Sequence, residues 1–147
     1  RQRHPARGQA LGVELRVAGA RGWGGVEARG DGVTWVDFAD DDELARLYRG
    51  ARCVLYPSLY EGFGIPILEA MACGAPVVTA RGGATEEVAG GSAVLVDAED
   101  VASIAAGVED AVARRDELRA AGLRRARDYS WDESARLLVE AYRAAAA

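Results

Sequence analysis

No lysine occurs in the 147 residues; all 18 basic side chains are arginine. That excludes any chemistry drawing a lysine from this chain, such as a Schiff base or a phosphate-loop lysine. Histidine occurs once, at His4, and is read as a surface residue. Cysteine occurs twice, at Cys53 and Cys73, which leaves too few ligands for a metal site. One cysteine lies in an apolar run and the other near a helix end, so both are expected to be buried thiols. No apolar run reaches the roughly 18 residues of a membrane span. No signal-peptide pattern opens the chain, so a cytoplasmic location is expected. The net charge of −5 provides no basic footprint, and no nucleic-acid partner is expected. Half the residues are hydrophobic and 28% are charged, as in a compact domain with its own core. The first residue is Arg1 rather than methionine, so the expectation is a piece of something longer.

Apolar runs alternate with helical patterns along the chain. VELRVAG (13–19) and GVTWVDF (32–38) read as strands, with a Gly-rich loop over 22–32 between them. DDDELARLYRGA (40–51) reads as a helix, with acidic residues early, arginines late, and Leu44, Leu47 and Tyr48 on one face. RCVLYPS is a short strand stopped by Pro57, and PVVTA (76–80) and SAVLVD (92–97) are two more. These runs lack polar alternation, which predicts burial on both faces, as in parallel sheets. The last third is helical: Ala102, Ile104, Ala105, Val108 and Val112 recur at helical spacing, and Leu118 to Ala126 continues the pattern. Ser130-Trp131-Asp132-Glu133 reads as a capping box opening an amphipathic helix through Leu137, Leu138 and Tyr142. Alternating strands and helices predict an α/β fold with a parallel sheet and right-handed crossovers.

Ligands of such sheets bind beyond the carboxyl ends of the strands. The stretch SLYEGFGIPILEAMACGAPVVT (58–79) leaves one of those ends. Gly62 and Gly64 allow close approach to the backbone. Pro66 suits a first helical turn, and Gly74 suits a left-handed stop. Amides around Gly64 and Ile65, backed by the helix dipole, suit an anion such as a diphosphate. Glu69 could accept two hydroxyl hydrogen bonds, as from a ribose. Glu61, upstream of the turn, would meet whatever lies beyond the phosphates. On residue chemistry alone three readings stand: a nucleotide or phosphate site, a plain Gly-rich strand-to-helix turn, and a glycosidase-like carboxylate pair.

Seven residues separate Glu61 from Glu69. This spacing resembles the signature of the GT-B retaining glycosyltransferases of family 4. The resemblance extends to LRVAGARGWGG, to the run from DDDELARLYRGARCVLYPS through PVVT, to GATEEVAGGSAVLVDAEDVASIAAGVEDAV and to YSWDESARLLVEAYR. It covers nearly the whole chain. It implies a Rossmann-like three-layer parallel sheet forming the C-terminal, donor-binding half of a two-domain enzyme, residues 1–147. The implied activity is transfer of a hexosyl group, with retention, from a nucleotide diphosphate sugar to a glycan or lipid-linked acceptor. Glu61 would be the catalytic contact to the transferred sugar. Gly62, Phe63, Gly64, Ile65 and Pro66 would line the donor's sugar and phosphates, and Glu69 would bind the ribose. No metal or other cofactor is implied. A position at the inner membrane face would come from the parent enzyme, as would the acceptor domain.

Three departures from the family pattern qualify this. The Arg and Lys that clamp the diphosphate in the family belong to a first strand and helix expected to be missing here, Arg1 to His4 being the helix's tail. The acceptor domain with its catalytic histidine is likewise expected to be absent, and His4 is not its replacement. Trp35-Val36-Asp37 stands where the family tends to have Phe-Leu-Gly, near the nucleobase. In the sheet order 3-2-1-4-5-6 the first strand is central. Without it the piece is expected to be unstable or incompletely assembled, and inactive on its own, a non-catalytic binding module being the alternative.

Overall fold

The computed structural model describes residues 14–19 and 31–146. The expected tail at Arg1 to His4, the surface position of His4 and nearly all of the Gly-rich loop lie outside them. The chain divides into two compact units, Arg1–Leu47 and Tyr48–Ala147.

In the first unit, β1 (Leu15–Ala18) and β2 (Val33–Val36) pair in parallel, Leu15 opposite Val33 and Ala18 opposite Val36. The Thr34 hydroxyl donates to Glu14 Oε1 at 2.6 Å, fixing the pair on one face. Neither strand contains a buried residue, contrary to the two-sided burial predicted for it. Among the described residues of this unit, β1 and β2 make a two-stranded ribbon only. Helix α1 (Asp41–Gly50) starts here, with Asp40 Oδ1 accepting the Glu43 N–H at 2.8 Å. Its early acids and late Arg49 follow the expected order.

The second unit holds β3 (Val54–Tyr56), α2 (Ile65–Ala72), β4 (Val77–Ala80), α3 (Gly83–Ala89), β5 (Val94–Val96), α4 (Val101–Ala113), α5 (Arg115–Ala126) and α6 (Trp131–Ala145). Its sheet has the order β3-β4-β5 and is parallel throughout. Only β4 is buried along its whole length, because it alone has a strand on each edge. Its side chains alternate between two cores. Val77 joins Ile67, Ala70 and Met71 of α2 and Val88 and Ala89 of α3. Val78 joins Val96, Ala111 of α4 and Leu118 of α5. Helices therefore cover both faces of this sheet, giving the three layers expected.

Among the described residues the hydrogen-bonded strands form two sheets, β1-β2 and β3-β4-β5, rather than one. Helix α3 is an addition to the predicted elements. Its seven residues, Gly-Ala-Thr-Glu-Glu-Val-Ala, are too few to show a helical repeat.

Cys53 and Cys73 are free and only half-buried, one preceding the edge strand β3 and the other closing α2. Burial still pushes the Cys53 thiol upward. The Ser130 hydroxyl caps α6 by accepting the Glu133 N–H at 3.1 Å. The Glu133 carboxylate pairs with Arg136 instead, so only one arm of the predicted capping box is seen. Helix α6 forms as expected, yet Leu137, Leu138 and Tyr142 are all exposed.

Candidate functional site

The stretch singled out in the sequence runs from the carboxyl end of β3 through a turn into α2. Pro57 ends β3, and the Tyr56 carbonyl accepts a hydrogen bond from the buried Thr79 hydroxyl at 2.9 Å. That bond ties the end of β3 to the central strand. Gly64 caps α2 in a left-handed conformation, φ 101°, with Pro66 in the first turn. A Cβ at Gly64 would lie 3.3 Å from Ile67 Cδ1 and 3.8 Å from Thr85 Cγ2, so both the angle and the space call for glycine. No side chain caps this helix. The Ile67 N–H returns to the Gly64 carbonyl at 3.0 Å. Pro66 has no N–H, so the Ile65 amide is the first-turn donor without an intrahelical acceptor. The helix stops as the sequence predicts. Gly74 is left-handed, its N–H donates to Met71 O and the Ala75 N–H to Ala70 O, a Schellman arrangement.

Glu61 and Glu69 are each held by a tyrosine. The Tyr56 hydroxyl donates to Glu61 Oε1 at 2.5 Å. The Tyr48 hydroxyl donates to Glu69 Oε2 at 3.2 Å. Hydrogen bonds from Tyr56 and then Ser58 hold the Glu61 carboxyl below its ordinary range. Burial, with the facing carboxylate, pushes Tyr56 up to about 12 and moves Tyr48 in the same direction. Both phenols are therefore neutral donors at physiological pH. Glu69 is exposed and sits at the start of the second turn of α2. With Oε2 shared with Tyr48, Oε1 is its less encumbered oxygen.

Glu61 lines a cleft of about 90 Å³ with Ser58, Leu59, Tyr60 and Gly82 to Thr85. This volume holds part of a ligand, since drug-sized pockets run to ~300–1,000 Å³. The far wall is the β4–α3 turn. Thr85 fixes it, its buried hydroxyl sharing its one hydrogen between Ala80 O at 3.0 Å and Gly82 O at 3.1 Å. Glu86 Oε2 accepts the Gly82 N–H at 2.6 Å. Gly82 to Thr85 were not among the candidates. Their signal was legible all the same, since Gly82-Gly83 is a second Gly-rich exit from a strand's carboxyl end.

Gly62, Ile65 and Glu69 lie on exposed surface, Pro66 is half-buried and Gly64 is buried in the turn; all five fall outside that cleft. The Phe63 side chain packs edge-on to Tyr129, ring centroids 5.8 Å apart, and remains partly exposed. A more open cleft of about 360 Å³ lies alongside, sharing Leu59 and reaching Arg81, Asp97 and Glu99 at the ends of β4 and β5.

Parallel strands, helices on both faces and a Gly-rich exit from a strand define a Rossmann-like α/β unit. Residues 3–114 match the family model described as "Glycosyl transferases group 1", and the chain belongs to that family, whose structures are of the GT-B type. The chain is 36% identical over 140 residues to O-antigen chain mannosyltransferase B of Escherichia coli, covering 88% of this chain and 37% of that protein. It is 40% identical over 149 aligned positions to D-inositol 3-phosphate glycosyltransferase of Nocardioides sp., covering 98% of this chain and 31% of the relative. Sucrose-phosphate synthase from Thermosynechococcus elongatus superposes with a TM-score of 0.71 at 31% identity, over 80% of this chain and 32% of that one. The glycosyltransferase WaaG superposes with a TM-score of 0.61 at 21% identity, which bears on the fold alone. The chain spans about a third of the length of these relatives.

Proposed function

We propose that the chain is the donor-binding part of a family 4 retaining glycosyltransferase, which moves a hexosyl group from a nucleotide diphosphate sugar to a glycan or lipid-linked acceptor. The observation that carries this reading is the pair Glu61 and Glu69, one on each side of the Gly62-Phe63-Gly64 turn and each oriented by a tyrosine. Glu69 accepts the ribose hydroxyls. The diphosphate lies against the Gly64 and Ile65 amides and the positive end of α2, with Pro66 shaping the approach. Glu61, kept ionised by Tyr56 and Ser58, meets the transferred sugar in the cleft it shares with the Gly82-Gly83 turn.

Charge develops on the leaving diphosphate as the sugar departs, so dipoles fixed at the start of α2 stabilise the transition state more than the ground state. In the retaining reading the acceptor attacks the face the nucleotide leaves, and a donor phosphate oxygen takes its proton. The reading invokes no metal and no other cofactor. A relative named as a mannosyltransferase favours a hexose. The acceptor domain belongs to the remaining length of a parent enzyme, working in the cytoplasm or at the inner membrane face. A non-catalytic nucleotide-sugar-binding module is the alternative for this polypeptide by itself.

Calorimetric titration of the chain with UDP-, GDP- and ADP-sugars tests the proposal, with Glu69→Ala as control and circular dichroism to establish folding. Binding of one nucleotide class, lost in the variant, is expected. No binding by the folded chain would overturn donor binding by this unit alone.

A further inference from the structure

Two walls face each other across the Glu61 cleft: the Ser58 to Glu61 segment, which leads into the Gly62-Phe63-Gly64 turn, and the start of α3. Both are tied to one pair of residues remote from the cleft. Arg125, in the last turn of α5, donates from Nε to the Val88 carbonyl at 3.0 Å and from Nη2 to the Glu87 carbonyl at 2.8 Å. It thus caps the C-terminal end of α3, where a cation is favoured. Gly90 leaves room for it; a Cβ there would lie 2.5 Å from Arg125 Nε. Arg125 Nη2 also donates to the Tyr129 hydroxyl at 2.6 Å, and the guanidinium lies 4.8 Å from the centre of the Tyr129 ring. The same ring meets Phe63 edge-on, with an interplanar angle of 83°. An unbroken chain of contacts runs from α3 through Arg125 and Tyr129 to the turn. Both residues lie beyond the segment matched by the family model.

We propose that Arg125 and Tyr129 are positioning residues for the donor site: from behind the cleft they set the Phe63 turn against α3, and so the aim of Glu61 and the Gly62 to Ile65 backbone. They touch no ligand. The ligand side of this inference rests on the nucleotide-sugar reading above; the brace itself does not.

The test uses the chain with Tyr129→Ala, Tyr129→Phe and Arg125→Lys, each checked by thermal melting. Amide resonances of Gly62, Gly64, Gly82 and Gly83 are recorded without ligand, and affinity is titrated with UDP-, GDP- and ADP-glucose. Tyr129→Ala is expected to shift the glycine amides on both walls and to weaken whichever nucleotide sugar binds by about 3–10-fold, the scale of one lost aromatic pair. Tyr129→Phe keeps the ring and should restore the Gly62 and Gly64 amides. Arg125→Lys cannot hold two carbonyls and the phenol together, and should move Gly82 and Gly83. Unmoved glycine amides in folded Tyr129→Ala and Arg125→Lys would overturn the brace. If Tyr129→Ala does not fold, unmoved Gly82 and Gly83 amides in Arg125→Lys alone would do so. Shifted amides with unchanged affinity would overturn the positioning role. A wild-type chain that binds none of the three sugars would sink the ligand reading and the positioning role, while the amides still decide the brace.

Discussion

The Tyr56 hydroxyl donates to Glu61 Oε1 at 2.5 Å, and the same bond holds the Glu61 carboxyl below its ordinary value of 4.5. A depressed folded-state pKa favours the ionised form. Its contribution to stability is therefore present above pH ~4.5 and is lost as pH falls through the lowered folded-state value. Tyr56→Phe should raise the Glu61 midpoint toward 4.5, read from the side-chain carboxyl carbon by NMR. A midpoint that stays put would mean that the phenol does not hold the carboxylate.

The Tyr48 hydroxyl, near the end of α1, donates to Glu69 Oε2 at 3.2 Å, with its ring packed on the α2 core. Tyr48→Phe keeps the ring and deletes the donor. A stability loss of ~0.5–1.5 kcal/mol is expected, as for an ordinary hydrogen bond. Urea unfolding measures it, and an unchanged midpoint would make the contact incidental.

Removing the Glu69 carboxylate should weaken nucleotide-sugar binding by ~1.5–3 kcal/mol, the range for hydrogen bonds to a charged group. Equal calorimetric affinity in Glu69→Ala and wild type would refute the ribose assignment. On the proposed contact of Glu61 with the transferred sugar, Glu61→Ala in the parent enzyme should lower kcat more than it raises KM, and unchanged kcat in steady-state kinetics would refute that contact.

Gly64→Val puts a branched side chain where φ is 101° and Ile67 Cδ1 lies 3.3 Å from the new Cβ. Backbone strain of this kind costs about 1–3 kcal/mol. The variant should melt earlier and lose nucleotide-sugar binding. A folded variant with wild-type affinity would argue against the backbone cradle.

Gly107, inside α4, meets the sheet closely: a Cβ there would lie 2.3 Å from Val96 Cγ1 and 3.2 Å from Val78 Cγ1. Alanine would gain ~1 kcal/mol of helix propensity. Overpacking against two branched, buried valines costs about 1–3 kcal/mol. Steric conflict should win, making Gly107→Ala destabilising in urea. A stabilised variant would show that α4 can retreat from the sheet.

The local grammar was legible in the sequence. Five short apolar runs became five parallel strands, because β-branched residues bounded by Gly and Pro leave few other choices. Pro57, Pro66 and Gly74 mark boundaries because their backbone angles act locally, without help from distant residues. The spacing of Glu61 and Glu69 about a Gly-rich turn could be read directly, since a strand exit feeding a helix is a local event.

Other features were decided only by the tertiary structure. Which run is buried on both faces depends on strand order, and among the described strands only β4 has two neighbours. The tyrosines that hold the two glutamates are named by no local pattern: Tyr48 lies 21 positions from Glu69, on another helix. The second wall of the cleft, Gly82 to Thr85, meets Glu61 because β3 and β4 are adjacent. Arg125 reaches α3 across 37 positions, through the space left by Gly90. Backbone preference acts over a few residues and is written along the chain, whereas the partners of a side chain depend on which elements pack together.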